Sequence, residues 1–267
     1  MGGAGRRKEG RPDPPEVYRD RAMSALAAPR LRPLPSGDPR VVDPLLTMRE
    51  AAVYLEVSNS TFQTWARGYS RYSSDGPPRV ARPVVYALPS LGGGRSVPFI
   101  GLVEGYILRA IRRTGVPLQR IRPALDSLAE EIGVPHALAS RHLYSDGCEV
   151  LYDYAARLGD EVVQSLTVVR SGQNVFPELV KPYLQMVTWD QEDWPTALRL
   201  PAFHATNVVV DPGRSFGRPI LDEEGIRVED ILDRFVGGDG LNVVAQDFGV
   251  PLRECEDVIR VAIAKAA

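Results

Sequence analysis

Two short helices, each with its own cap and only a few residues between them, constrain this chain more than any other feature of its sequence. Thr47-Met48-Arg49-Glu50 has the form of a capping box. In that motif the threonine hydroxyl and the glutamate carboxylate each satisfy a backbone N–H left without a helical partner. Ala51, Ala52 and Leu55 continue as an apolar face, and the pattern stops near Glu56-Val57. Ser58 then predicts the cap of a second helix, Asn59 to Arg67, closed by Gly68. Phe62 and Trp65 stand three residues apart and share its buried side. Two such helices joined by a tight turn make a helix-turn-helix.

Burying Phe62 and Trp65 turns Asn59, Ser60, Gln63, Thr64 and Arg67 outward. Those residue types suit base edges in a major groove, because Asn and Gln pair with adenine and Arg with guanine. Arg49, in the first helix, joins them as a candidate DNA contact. Residues 79–86 and 96–100 are rich in β-formers and bracket Gly92-Gly93-Gly94, which predicts a hairpin wing. Arg79, Arg82 and Arg95 would sit on that wing and neutralise phosphates.

The rest of the chain predicts an α+β protein in three parts. Residues 1–43 are rich in Pro, Gly, Arg and Ala and read as a flexible arm, whose Arg6, Arg7 and Arg11 could brush a phosphate backbone. Residues 44–144 hold the winged helix-turn-helix and two trailing helices, one through Leu102 to Ile111 and one from Pro117 to Ile132. Residues 145–267 read as a mixed α/β domain. It has strands at 149–154, 165–169, 197–200 and 206–210, and a helix over 178–187. It ends in a three-helix unit, 228–235, 243–248 and 252–265. Order is expected to begin at Leu45-Leu46-Thr47.

Charge divides along the same line. Residues 1–145 hold 21 Lys and Arg against 13 Asp and Glu, whereas residues 146–267 hold 11 against 21. A basic front suits a polyanion such as double-stranded DNA, and an acidic rear suits a basic protein. The last two helices resemble a second helix-turn-helix, but Glu254, Glu256 and Asp257 open the final one and would meet phosphates with like charge. They point to protein binding, as does the apolar run Val258, Ile259, Val261 and Ala262, which suits a homodimer interface.

The front stretch resembles the MerR-like and excisionase-like winged-helix families. The likeness rests on Leu46-Thr47-Met48-Arg49-Glu50-Ala51-Ala52, Leu55-Glu56-Val57-Ser58, Thr61-Phe62 and Trp65, and continues through Arg113-Thr114-Gly115-Val116-Pro117. Gln63 stands where MerR relatives often carry Arg, and no long dimerisation helix follows. The rear is similar to a small bacterial domain found in antitoxins encoded beside PIN-type ribonuclease toxins. It matches at Val208-Val209-Val210-Asp211-Pro212, Gly217-Arg218-Pro219-Ile220, Val228-Glu229-Asp230-Ile231-Leu232 and Ala245-Gln246-Asp247-Phe248. Glu223-Glu224-Gly225-Ile226 replaces that family's Gly-Thr-Arg-Ile segment. Together the two halves look like the longer VapB-type antitoxins of actinobacteria. The resemblance implies an antitoxin that represses its own operon and neutralises a PIN-type ribonuclease. Arg214, Arg218, Arg227, Glu254, Glu256 and Asp257 are its candidate toxin contacts.

Other chemistries find little support. His136, His142 and His204 lack metal or nucleophile spacing, and Gly92-Gly93-Gly94 lacks the Lys-Ser/Thr ending of a phosphate loop. No enzyme activity, metal or cofactor is expected. Cys148 and Cys255 cannot build a disulfide framework, and no run of ~20 apolar residues or signal-like leader occurs. A cytoplasmic protein without membrane contact is the expectation. Two readings stay open beside the antitoxin: a stand-alone MerR-like regulator whose rear domain senses a small molecule, and a scaffold without DNA affinity.

Overall fold

The computed structural model describes residues 32–73, 76–90, 92–113, 135–141 and 183–266. Order begins earlier than Leu45. A four-residue helix, α1 (Pro39–Val42), is capped by the Asp38 side chain. Arg40 of that helix pairs with both Asp38 and Asp190, each at 2.8 Å. Trp194, fully buried, donates from Nε1 to the Arg32 carbonyl at 2.8 Å. Polar contacts therefore tie residues 32–43 to the rear of the molecule, while Leu34 and Val41 pack against the core.

The two capped helices form as the side-chain chemistry requires. In α2 (Met48–Tyr54), Thr47 accepts from Glu50 N while Glu50 accepts from Thr47 N, so both halves of the capping box are made. Ser58 accepts from Thr61 N and opens α3 (Asn59–Arg67). Each cap contributes about 1 kcal/mol. Gly68 ends α3 with φ +71°, and a Cβ there would lie 2.1 Å from the Ala81 carbonyl oxygen, so only glycine fits.

The hairpin lies elsewhere than expected. It consists of β1 (Tyr69–Ser73) and β2 (Gly76–Ala81), antiparallel, with Ser70 opposite Val80 and Arg71 opposite Arg79. Residues 96–100 are not its second strand. Val97 instead bridges Leu46, and Phe99 starts a long helix, α4 (Phe99–Arg113). That helix is buried along most of its length, and Gly105 lets it approach α3: a Cβ there would come 2.8 Å from the Phe62 ring. The predicted helix 117–132 and strands 149–154 and 165–169 lie outside the described residues.

The rear builds a four-stranded antiparallel sheet in the order β3 (Val187–Trp189), β4 (Pro195–Arg199), β5 (Val208–Val210), β6 (Ile220–Leu221). Val187, expected to close a helix, starts β3 because its backbone pairs with Leu198. Three helices follow: α5 (Val228–Val236), α6 (Leu241–Phe248) and α7 (Leu252–Ala266). They occupy the segments expected of the terminal unit, extended by up to two residues at their ends.

Front and rear elements bury their apolar sides in one common core, from Leu46, Phe62 and Ile107 to Leu198, Ile231 and Val258. Tyr54 of α2 packs its ring 5.9 Å from that of Phe203, and its carbonyl accepts from Ala202 N. Burial raises the Tyr54 hydroxyl pKa well above its ordinary value. Among the described residues, no helix is long and apolar enough to cross a membrane.

Candidate nucleic-acid interface

The site grows out of α3. Phe62 and Trp65 anchor its inner side in the core, and Trp65 also accepts from Val84 N and Val85 N through its carbonyl. That anchoring presents Asn59, Ser60 and Arg67 exposed and Gln63 and Thr64 half-buried on the opposite side. Gln63 Nε2 donates to Asn59 Oδ1 at 3.3 Å, so the two amides are already aligned one turn apart. Thr64 donates its hydroxyl hydrogen to the Ser60 carbonyl at 2.8 Å, which leaves the oxygen as an acceptor. The predicted reading residues thus come together on one short helix. Arg49 is exposed on the neighbouring α2.

Around this face the cations are partly those expected and partly others. Arg79 lies in β2 opposite Arg71 of β1, and exposed Arg82 immediately follows β2. Arg71 escaped the sequence reading because Tyr69-Ser70-Arg71-Tyr72-Ser73 has no apolar alternation to mark a strand. Arg95 is not on the wing. It lies beyond the Gly92-Gly93 turn, with its guanidinium 3.9 Å from the Glu229 carboxylate at the start of α5.

A second group of cations was also missed. An open groove of about 630 Å³ runs beside the N-terminal end of α3, between Ser58 and Thr61 on one side and Arg109, Arg112 and Arg113 on the other. Arg109 is buried and paired with Glu56, whose other oxygen lies 3.1 Å from His204 Nε2. Arg112 and Arg113 are exposed at the last turn of α4. Their signal was present as a basic pair ending an apolar helix, a place where cations also complement the helix dipole.

The candidate toxin contacts divide sharply. Arg218 is 8% exposed, donates to the Leu45 carbonyl at 2.8 Å and pairs with Glu229. Burial lowers its pKa, with nearby Arg95 acting in the same direction. Asp257 is 5% exposed and accepts from Ala205 N, Thr206 N and Arg260. Burial alone would raise its carboxyl pKa; the bonds from Arg260 and the two backbone N–H groups outweigh that and hold it below the ordinary range. These two residues are corrections: their side chains hold the fold together and are not presented to a partner. Glu254 accepts from the Thr206 hydroxyl at 2.7 Å. Arg214 is paired with Asp222 and Arg227 with Asp230, while Glu256 is exposed. Of the histidines, His136 contacts Glu104 at 3.1 Å and His204 contacts Glu56, whereas His142 lies outside the described residues.

Comparison with known proteins gives the following. Residues 44–125 match the family described as "Putative DNA-binding HTH domain". The chain is 44% identical over 222 residues to the Mycobacterium tuberculosis protein named "Putative antitoxin VapB45", spanning 81% of this chain and 92% of that one. It is 25% identical over 224 residues to the "Uncharacterized protein Rv2308" of the same organism, spanning 79% and 89%. The crystal structure of Rv2018 from M. tuberculosis superposes with a TM-score of 0.67 at 41% identity, covering 82% of this chain and 99% of that one.

Proposed function

The chain belongs to the family of the protein named "Putative antitoxin VapB45", and from that premise we propose that it is a DNA-binding antitoxin with a DNA-reading front and a toxin-binding rear. The observation that carries the DNA half is α3 itself. Its inner side is fixed by Phe62 and Trp65, its outer side gathers Asn59, Ser60, Gln63, Thr64 and Arg67, and an arginine-bearing hairpin follows directly. In the proposed complex, α3 enters a major groove and Gln63 and Asn59 exchange their mutual hydrogen bond for bonds to base edges. Arg49, Arg71, Arg79, Arg82, Arg112 and Arg113 flank it and neutralise phosphates, giving affinity without sequence preference.

One such helix reads few bases, so a symmetric dimer on a palindromic site is the arrangement that supplies specificity. Binding to its own promoter would make the chain autoregulatory. The acidic rear supports the other half of the reading. A ribonuclease that grips RNA needs a basic surface, and an acidic partner is steered towards it. The partner proposed is a PIN-type ribonuclease, occluded by direct contact.

Co-expression with the product of the adjacent gene, which on this reading is the nuclease, tests it. The full chain should co-purify with the nuclease, protect RNA from it and retard a duplex carrying its own promoter. Failure to bind either the nuclease or the promoter would remove the corresponding half.

A further inference from the structure

Residues 211–219 join β5 to β6 through a turn fastened on both sides. On one side, Arg214 donates to the Asp222 carboxylate at 2.6 Å and to its backbone carbonyl at 2.7 Å, while Asp211 Oδ1 accepts from Gly213 N. On the other, Arg218 is tied to the Leu45 carbonyl and to Glu229. Between these anchors three successive residues are left-handed: Ser215 at φ 47°, Phe216 at φ 54° and Gly217 at φ 70°. Gly217 N closes the turn on the Arg214 carbonyl at 2.9 Å. Glycine tolerates that backbone, but serine and phenylalanine are strained in it. At the apex Phe216 is 92% exposed, more than any other large apolar side chain among the described residues.

A single exposed apolar residue is ordinary on a protein surface. This one differs because a glycine at position 216 would relieve the strain and remove the exposed ring together. A strained backbone that holds an apolar ring out into solvent, and is clamped so that it cannot relax, is the kind of feature that binding repays. A rigid aromatic ring held in place before contact loses little entropy on docking, and buried aromatic anchors dominate interface energies.

The charge of this part of the chain bears on the partner. Residues 211–256 hold 11 Asp and Glu against 5 Arg, and Glu223 and Glu224 are exposed in the turn after β6. Such a surface repels DNA, and a second copy would bring the same acidic surface against it. It attracts a basic protein. We propose that Phe216 is the anchor by which this chain docks onto a basic protein surface, its ring filling an apolar pocket while the acidic surround steers the encounter. The proposal rests on the antitoxin reading, in which that surface belongs to the neutralised nuclease.

The test compares the full chain with its Phe216→Ala and Phe216→Gly variants. Titration calorimetry against the product of the adjacent gene, the nuclease of the antitoxin reading, is run in parallel with promoter retardation and sedimentation. Both variants should bind the nuclease at least about 30-fold more weakly. They should keep wild-type promoter affinity and sedimentation, and Phe216→Gly should melt no lower than wild type, because glycine accepts the left-handed backbone. A residue that only supported the fold would lose stability along with binding. Wild-type nuclease affinity in both variants would overturn the proposal and leave the antitoxin reading standing. No nuclease binding by the wild-type chain would overturn the reading and the proposal with it. A loss confined to self-association or to promoter binding would assign the ring to a second copy or to DNA, and either result overturns the proposal.

Discussion

Arg218 donates a 2.8 Å hydrogen bond to the backbone carbonyl of Leu45, 173 positions earlier in the chain and two residues before the cap of the first motif helix. The same guanidinium pairs with Glu229 near the start of α5. One side chain thus ties the entry of the helix-turn-helix to the rear sheet and the terminal helices. Arg218→Ala would leave a buried carbonyl without its donor and Glu229 with only the more distant Arg95. Glu229 is partly exposed and would recover some hydration, so the expected cost is about 2–3 kcal/mol. Thermal unfolding should fall by about 5–10 °C. Arg218→Lys should restore only part of that, because one ammonium cannot reproduce the forked contact.

Gly105 sets how closely α4 approaches α3. A Cβ there would meet the Phe62 ring at 2.8 Å and Leu55 at 3.0 Å, both fully buried. Gly105→Ala should therefore destabilise the protein by about 1–3 kcal/mol through overpacking, although alanine favours an isolated helix. Urea unfolding measures the sum. A stabilised variant would mean that α4 has room to move away from the motif.

Asp257 predicts acid sensitivity. Its folded pKa is lowered below the ordinary 3.8, so its contribution is fully present above about pH 4 and is lost as pH falls through the lowered folded value. Asp38, held low chiefly by its bond to Arg40, contributes with the same sign. Asp257→Ala should cost about 2–3 kcal/mol at neutral pH, since Ala205 N and Thr206 N lose their acceptor. Unfolding curves should show wild type and variant converging as the pH is taken towards 2. A difference that stays constant with pH would contradict the ionic origin.

What the sequence conveyed was what neighbouring residues decide among themselves. Thr47 and Glu50, or Ser58 and the N–H of Thr61, form their bonds within one turn, so the starts of both motif helices could be located to the residue. The terminal helices were legible for a similar reason, with Gly237 and Gly249 standing just past the first two. The wing was misplaced because the three consecutive glycines drew the turn towards themselves. The hairpin signal lay in Asp75-Gly76, beside the sequence Tyr69-Ser70-Arg71-Tyr72-Ser73, which has no apolar alternation. Arg218 and Asp257 looked like free surface charges because nothing near them in sequence announces Leu45, Ala205 or Thr206 as partners. Burial made by distant segments leaves no local pattern.

The reading of DNA by α3 is tested most directly by titrating the full chain, Gln63→Ala and Arg82→Ala against a promoter duplex and a random duplex across a salt series. Gln63→Ala should lose about 1–3 kcal/mol on the promoter, roughly 5- to 150-fold, and almost nothing on random DNA. Arg82→Ala should weaken both duplexes alike and reduce the salt slope by about one. Equal losses on the two duplexes from Gln63→Ala would contradict the account, because α3 would then be touching the backbone and reading nothing.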